Sequence, residues 1–289
     1  MNLAICEADW VSQHQDENNQ GVSIMNEQSP APELIRRAAA MLATSKRVAV
    51  LTGAGVSAES GVPTFRASDG LWEGHRIEEV ATPEGYARNP ELVWTFYNAR
   101  RANVATVKPN PGHEALATLE NHFGDNFTII TQNVDGLHQQ AGSKNVLEVH
   151  GSLRRTRCVN CGQIADRGLE VLSNRPECQS CGRAVRPDIV WFGETLPPDI
   201  WRKAQEAAEE CDTLIVVGTS AVVYPAAGLI GMVKRRIEWG SRPAGDVIEV
   251  NIQPSEAASH ADVGIYAPSG VVLPLIVEKF RELTGGSRK

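Results

Sequence analysis

The chain has 289 residues, 42% of them hydrophobic and 22% charged, with a formal net charge of -7. That length buries a sizeable core and has room for one large domain plus a smaller one, and the composition is that of an ordinary globular protein, which excludes a disordered or fibrous class. No apolar run is long enough to span a bilayer and no Lys/Arg block offsets the acidic balance, so neither a membrane protein nor a specific nucleic-acid surface is expected.

Residues 1–30 are rich in Asn, Gln, Asp, Glu and Ser, with neither the apolar core of a signal peptide nor an Arg-rich amphipathic pattern. They read as a flexible polar tail, and a cytoplasmic location is the expectation. Apolar residues at helical spacing follow from Pro32 to Thr44. A short buried strand over 47–51 then ends in Thr52-Gly53-Ala54-Gly55, where small residues let backbone N–H groups approach a pyrophosphate. By itself that turn is weak evidence, because the spacing is not the strict G-x-G-x-x-G and a tight strand-to-helix connection with no ligand is the alternative. Further strands are expected at 127–131, 146–149, 189–192, 213–217 and 247–251. Asn89-Pro90 and Asn110-Pro111 each offer an N-cap followed by proline at the first helical position, and helices are expected at 198–210 and 273–283. Strands alternating with helices make a doubly wound parallel sheet, an α/β Rossmann-like domain assembled from 31–65, 109–152 and 187–289. Residues 66–108 and 153–186 break the alternation and read as an inserted smaller domain, helical and zinc-binding.

The zinc expectation comes from Cys158-Val159-Asn160-Cys161 and Cys178-Gln179-Ser180-Cys181. A C-x2-C turn presents two soft thiolates to one ion, and two such turns close a tetrahedral site. Disulfides or a redox pair are the alternatives. A second C-x2-C argues against a lone redox motif, and nothing in the chain indicates secretion. With Cys158, Cys161, Cys178 and Cys181 all as ligands no coordination position stays open, so one structural zinc ion is expected. Cys6 and Cys211 are left over as reduced thiols, Cys211 as a small core residue at a helix-to-strand junction.

The stretch from Gly53 to Arg66, closing in Pro63-Thr64-Phe65-Arg66, closely resembles the first signature of the sirtuins, the NAD-dependent protein lysine deacylases. Thr131-Gln132-Asn133-Val134-Asp135-Gly136-Leu137-His138 resembles their second signature, and Glu148-Val149-His150-Gly151-Ser152 the segment holding their catalytic histidine. The cysteine quartet and the run from Arg186 to Glu194 follow in the family's order, and the likeness covers roughly residues 35 to 285. It implies NAD as cofactor and acyl-lysine proteins or peptides as partners; the oligomeric state stays open. It also implies a catalytic role for His150, as the base that draws a proton from a ribose hydroxyl, a task suited to an imidazole neutral near pH 7. Asn133 is implied beside it, holding water or ribose. The cofactor-binding set implied is Gly53, Ala54, Gly55, Ser57, Glu59, Phe65, Arg66, Trp72, Gln132, Asn133, Asp135, Gly218, Thr219, Ser220, Asn251, Ile252 and, on the adenine side, Ser269. Of these, Asp135 is implied at the carboxamide and Phe65 as a shield against water. His138 is expected to face a helix surface and not the cofactor.

Tyr97 and Arg100 lie three apart on the helix expected from Glu91, so their side chains leave one face, where a guanidinium fork and a phenol can grip a carboxylate. The alternative is a solvated helix face, on which arginine is unremarkable. The Tyr-x-x-Arg pair resembles that of the sirtuin class acting on succinyl-, malonyl- and glutaryl-lysine. The resemblance therefore implies desuccinylase and demalonylase activity with some deacetylase activity, releasing nicotinamide and O-acyl-ADP-ribose. Val190, Phe192 and Gly193 are implied at the substrate. Two other activities remain open on the same fold, mainly lysine deacetylation or protein mono-ADP-ribosylation; a zinc-stabilised NAD-binding scaffold is a third reading.

Overall fold

The computed structural model describes residues 30–64, 71–72, 74–235 and 243–285, so Phe65 and Arg66, the side chain of Trp72 and nearly all of the polar tail lie outside the described residues. The first half of the chain runs α1 (Pro32–Thr44), β1 (Val48–Thr52), the single turn α2 (Gly55–Ala58), the short pair β2 (Leu71–Trp72) and β3 (His75–Arg76), then α3 (Ile77–Val80), α4 (Pro83–Arg88), α5 (Pro90–Val104) and α6 (Pro111–Phe123). It continues with β4 (Phe127–Thr131), α7 (Leu137–Gln140), β5 (Val146–Glu148), β6 (Gly151–Cys158), β7 (Ile164–Asp166) and β8 (Val185–Ile189). The last elements are α8 (Pro198–Glu210), β9 (Thr213–Val217), α9 (Gly228–Lys234), β10 (Asp246–Asn251), β11 (Val263–Tyr266) and α10 (Ser269–Leu283). No described helix is long and apolar enough to cross a membrane.

Six strands form one sheet in the order β11-β10-β9-β1-β4-β5, every pairing parallel. Counted along the chain this is the doubly wound order 3-2-1-4-5-6, whose direction of growth reverses between β1 and β9 and opens a crevice at the carboxyl ends of those strands. Strand residues alternate between two cores. Val48 and Val50 of β1 join α1, α6 and α10 on one face, whereas Ala49 and Leu51 join α8 and α9 on the other. That two-sided burial is why the strands read as unbroken apolar runs. In α1, Ile35, Ala38, Ala39 and Leu42 form the buried stripe, the spacing of one helix face. Both expected caps are in place: the Asn89 side chain accepts from the Leu92 amide, and that of Asn110 from the Gly112 amide.

The second sheet has three antiparallel strands, β7-β6-β8, and differs from the sequence expectation. The strand expected at 189–192 lies earlier, at Val185–Ile189, and pairs with β6 instead of joining the parallel sheet. The apolar run after it is a loop whose side chains diverge, Trp191 entering the core around α5, Val190 packing against the large sheet, and Phe192 standing 46% exposed. Gly151, at φ +83°, begins β6; a Cβ there would lie 2.0 Å from the Asp188 carbonyl oxygen, so the turn out of His150 accepts no side chain. Helix α10 starts four residues before the expected 273, with Pro274 inside it.

Candidate active site

The carboxyl ends of β1 and β9 meet across glycines. The Gly55 amide donates to the Gly218 carbonyl at 2.7 Å, and a Cβ on Gly218 would lie 2.3 Å from the Val56 nitrogen. Ala54 and Ser57 sit on the turn that this contact holds down. Gln132, which follows β4, donates to the Thr219 hydroxyl at 3.1 Å, and Asn251, which ends β10, donates to the Thr219 carbonyl at 2.9 Å. Residues following four parallel strands are thus tied into one rim, with Ser220 and Ile252 exposed beside it.

Beneath the rim lies a buried polar network. The Ser57 hydroxyl donates to Asp135 at 2.8 Å and accepts from the Asn133 amide at 3.0 Å. The second Asp135 oxygen accepts the Leu137 amide at 2.9 Å. Burial raises the Asp135 carboxyl above its ordinary range, and these two donors offset part of that rise. His113 Nδ1 accepts the Asn110 amide at 3.3 Å, so its Nε2–H faces the Ser57 oxygen, 3.4 Å away. His138 contacts the Thr52 hydroxyl at 3.0 Å, and Thr52 in turn donates to Thr131. This corrects the expectation for His138, which is 1% exposed and packs its ring 4.9 Å from that of His113 instead of facing a helix surface. Burial pulls His113 down to about 4 and His138 to about 3, so both are neutral at physiological pH.

His150 is half-buried at the edge of this network. Its Nδ1 lies 3.2 Å from the Gln132 carbonyl, which can only accept, so the proton is on Nδ1 and the Nε2 lone pair is available as a base. Burial lowers its pKa while that hydrogen bond opposes the shift, leaving the imidazole neutral near pH 7. His150 thus contacts the residue immediately before Asn133. Glu59 and Ser269 are also brought together, but with each other: Glu59 accepts from the Ser269 hydroxyl at 3.1 Å and the Gly270 amide at 2.8 Å, placing an acidic group at the first turn of α10. His113 was not among the residues the sequence singled out, and neither was Glu249. Glu249 of β10 is fully buried and accepts from the Ser255 amide at 3.0 Å, the Ser255 hydroxyl and the Tyr266 hydroxyl at 3.0 Å, which pins the loop that begins with Asn251 and Ile252.

Helix α5 is not a solvated face. Tyr97 is fully buried, Arg100 is 8% exposed and Arg101 is 1% exposed. The two arginines have different surroundings. Arg101 donates to the backbone carbonyls of Glu170, Leu153 and Arg167 and so ties α5 to β6 and the cysteine module. The Arg100 guanidinium lies 5.7 Å from the Phe96 ring centre and within electrostatic reach of both Tyr97 and Asp135. The Tyr97 hydroxyl accepts from the Trp191 indole at 2.9 Å, and burial pushes its pKa up to about 12. Gly193, exposed at φ +87°, turns the chain just past Trp191 and Phe192.

Four cysteine sulfurs converge beyond α5, all within 4.8 Å of one another, with contacts of 3.5 to 3.8 Å. A tetrahedron with metal–sulfur bonds of about 2.3 Å has edges of about 3.8 Å, so the four thiolates fit one zinc ion; a disulfide needs about 2.0 Å. The two knuckles repeat one backbone pattern. Each first cysteine donates its amide five residues on, Cys158 to Gln163 and Cys178 to Arg183, and accepts at its carbonyl from the residue four on. The Cys161 amide, with that of Asn160, draws the Cys158 thiol down to about 6, favouring the thiolate a metal needs. The buried side of the cluster packs on Trp94 of α5, whose indole donates to the Val185 carbonyl at 3.0 Å. Arg155 joins this module to the large sheet, with one nitrogen 2.6 Å from Glu148 at the end of β5 and another 2.9 Å from Asp188 of β8.

The Sir2 family model matches residues 53–225. An NAD-dependent protein deacylase 2 from Pyrobaculum aerophilum is 50% identical over 241 residues, covering 83% of this chain and 94% of its own length. A solved complex of a Sir2 homologue with NAD superposes with a TM-score of 0.78 at 43% identity, covering 85% of this chain and 93% of the other. Sir2Af2 bound to a myristoylated histone peptide superposes with a TM-score of 0.71 at 38% identity, covering 88% and 99%.

Proposed function

The chain belongs to the Sir2 family and is an NAD-dependent protein deacylase with one structural zinc, and on that premise we propose that it prefers lysines carrying acidic acyl groups: succinyl, malonyl and, by the same chemistry, glutaryl. The observation that carries this is the pairing on α5 of a buried phenol and a nearly buried guanidinium, three residues apart on one helix face, a combination suited to gripping a carboxylate. A nearly buried guanidinium beside a phenol suits a substrate whose acyl group carries a counter-charge. Acetyl-lysine lacks that counter-charge and is a poorer substrate.

When bound, NAD would supply an electrophilic ribose carbon for the acyl-lysine amide oxygen to attack, with nicotinamide as the leaving group. The crevice suits such a group: it lies at the switch point of a doubly wound sheet, and hydroxyl and amide side chains line it. In this reading His150 takes the ribose hydroxyl proton on Nε2, the Gln132 carbonyl holding its Nδ1–H. Asn133, whose amide nitrogen is spent on Ser57, turns its carbonyl oxygen to the ribose or to water, and Asp135 receives the carboxamide. Thr219, Ser220, Asn251 and Ile252 serve the adenosine half. The Sir2Af2 complex supports an acyl-lysine peptide as the second substrate. Replacing Arg100→Met should lower the succinyl-to-acetyl ratio of kcat/KM by roughly 10- to 100-fold, the loss of one or two hydrogen bonds to a charged group. Equal loss on both substrates contradicts the reading.

A further inference from the structure

We propose that Trp191 is a positioning residue for acyl specificity: its indole N–H, given to the Tyr97 oxygen, leaves the phenol proton as the donor offered to the carboxylate of an acidic acyl group. The inference rests on the acidic-acyl preference proposed above.

An indole nitrogen donates and never accepts, so in the 2.9 Å contact between Trp191 and Tyr97 the phenol oxygen is the acceptor. That leaves the phenol one proton, and among the described residues none takes it as an acceptor. The ring is fully buried, so water does not take it either. A buried donor without an acceptor is costly, and a partner arriving with the substrate removes the cost. Arg100 one turn away supplies the positive charge such a partner needs. A carboxylate reaching this helix face accepts the phenol proton; an acetyl methyl does not.

Trp191 is itself held at both its ring and its backbone. The Arg186 guanidinium lies 3.4 Å from the Trp191 ring centre and forks onto Glu194 with bonds of 2.6 and 2.8 Å. Glu194 also accepts the Trp191 backbone N–H at 2.9 Å, and Arg186 donates to the Ile189 carbonyl at 2.7 Å. Arg186 belongs to β8, next to Val185, which packs against the cysteine cluster. Packing at Val185 and the contacts of Arg186 therefore link the cysteine cluster to Trp191, whose indole bonds the Tyr97 hydroxyl.

The test compares Trp191→Phe with the unaltered enzyme on acetyl- and succinyl-lysine versions of one peptide. A companion variant carrying benzothienylalanine at 191 keeps the bicyclic shape and the stacking and removes only the N–H. The expected result for both variants is a rise of about fivefold in KM for the succinyl peptide, the loss of one hydrogen bond. kcat should be unchanged and the acetyl KM should move by less than about twofold. In a Tyr97→Phe background the change at 191 should have no further effect on the succinyl KM. Equal losses on both peptides, or an undiminished effect in the Tyr97→Phe background, overturn this inference alone. An unaltered enzyme with no preference for the succinyl peptide overturns the acidic-acyl preference itself, and this inference with it.

Discussion

At the carboxyl edge of the large sheet, Ser57, His113, Asn133, Asp135 and His138 are buried within a core that covers both faces of the strands, and each is held by hydrogen bonds to its neighbours. Around the cysteines the buried cluster, among the described residues, is Trp94, Cys158, Cys178 and Val185, with Tyr86 and Leu172 against it. The first region draws its order from a large hydrophobic core, the second from a metal and from the contacts of α5, because so small a core cannot organise itself. The difference separates two duties of one enzyme. Residues proposed for bond cleavage stand on the large sheet, and those proposed to choose the acyl group stand on the helix that leans on the zinc module.

The largest effect that sharpens this division is expected from His150→Tyr. It should remove deacylation on every acyl-lysine by at least about a thousandfold, the scale of a general base, with the melting temperature and zinc content unchanged. A variant that lost its zinc would show instead that the two regions are not separable. Stripping zinc with a chelator, or replacing Cys178→Ser, should come next. It should abolish succinyl turnover and the near-ultraviolet signal of Trp94 and Trp191 while the far-ultraviolet spectrum of the large domain persists. Intact structure and turnover after verified metal loss would contradict the role given to the module.

A smaller effect is expected from Glu249→Gln. Weakening the bonds to Ser255 and Tyr266 should raise KM for NAD by about fivefold with little change in kcat, since the loop it pins carries Asn251 and Ile252, proposed above to serve the adenosine half. A change in kcat alone would place Glu249 elsewhere in the mechanism. The last effect concerns stability against pH, and it leaves turnover at neutral pH unchanged. His113 and His138 have folded-state values of about 4 and about 3, below the roughly 6.5 of an unfolded histidine. Below pH 6.5 the unfolded chain therefore binds more protons. Their stabilising contribution is complete above pH 6.5 and is lost as the pH falls toward 4, by up to about 1.4 kcal/mol per pH unit for each histidine. The melting temperature should be flat above neutrality and fall below it, less steeply in His113→Gln.

Much of this was legible in the sequence, for physical reasons specific to each element. The strands Phe127–Thr131 and Thr213–Val217 were visible because both of their faces are buried, and the caps at Asn89 and Asn110 because proline follows each. The cysteine spacing disclosed the metal site without help from the fold. The run from Ile189 to Phe192 misled because its apolar side chains serve different cores, a fact of tertiary packing and not of periodicity. Pro274 hid the first residues of α10. His138 looked like a surface residue because the turn it occupies is too short to show a buried face. Arg101 and Glu249 carried no signal, since their partners lie on segments that only the fold brings near.

The most direct test of the account is the ratio of kcat/KM on acetyl- and succinyl-lysine versions of one peptide, measured with the zinc-loaded enzyme at saturating NAD. A ratio favouring the succinyl peptide by about tenfold or more is the predicted result, the worth of one hydrogen bond to a charge. A ratio at or below one would contradict the acyl receptor built from Tyr97 and Arg100.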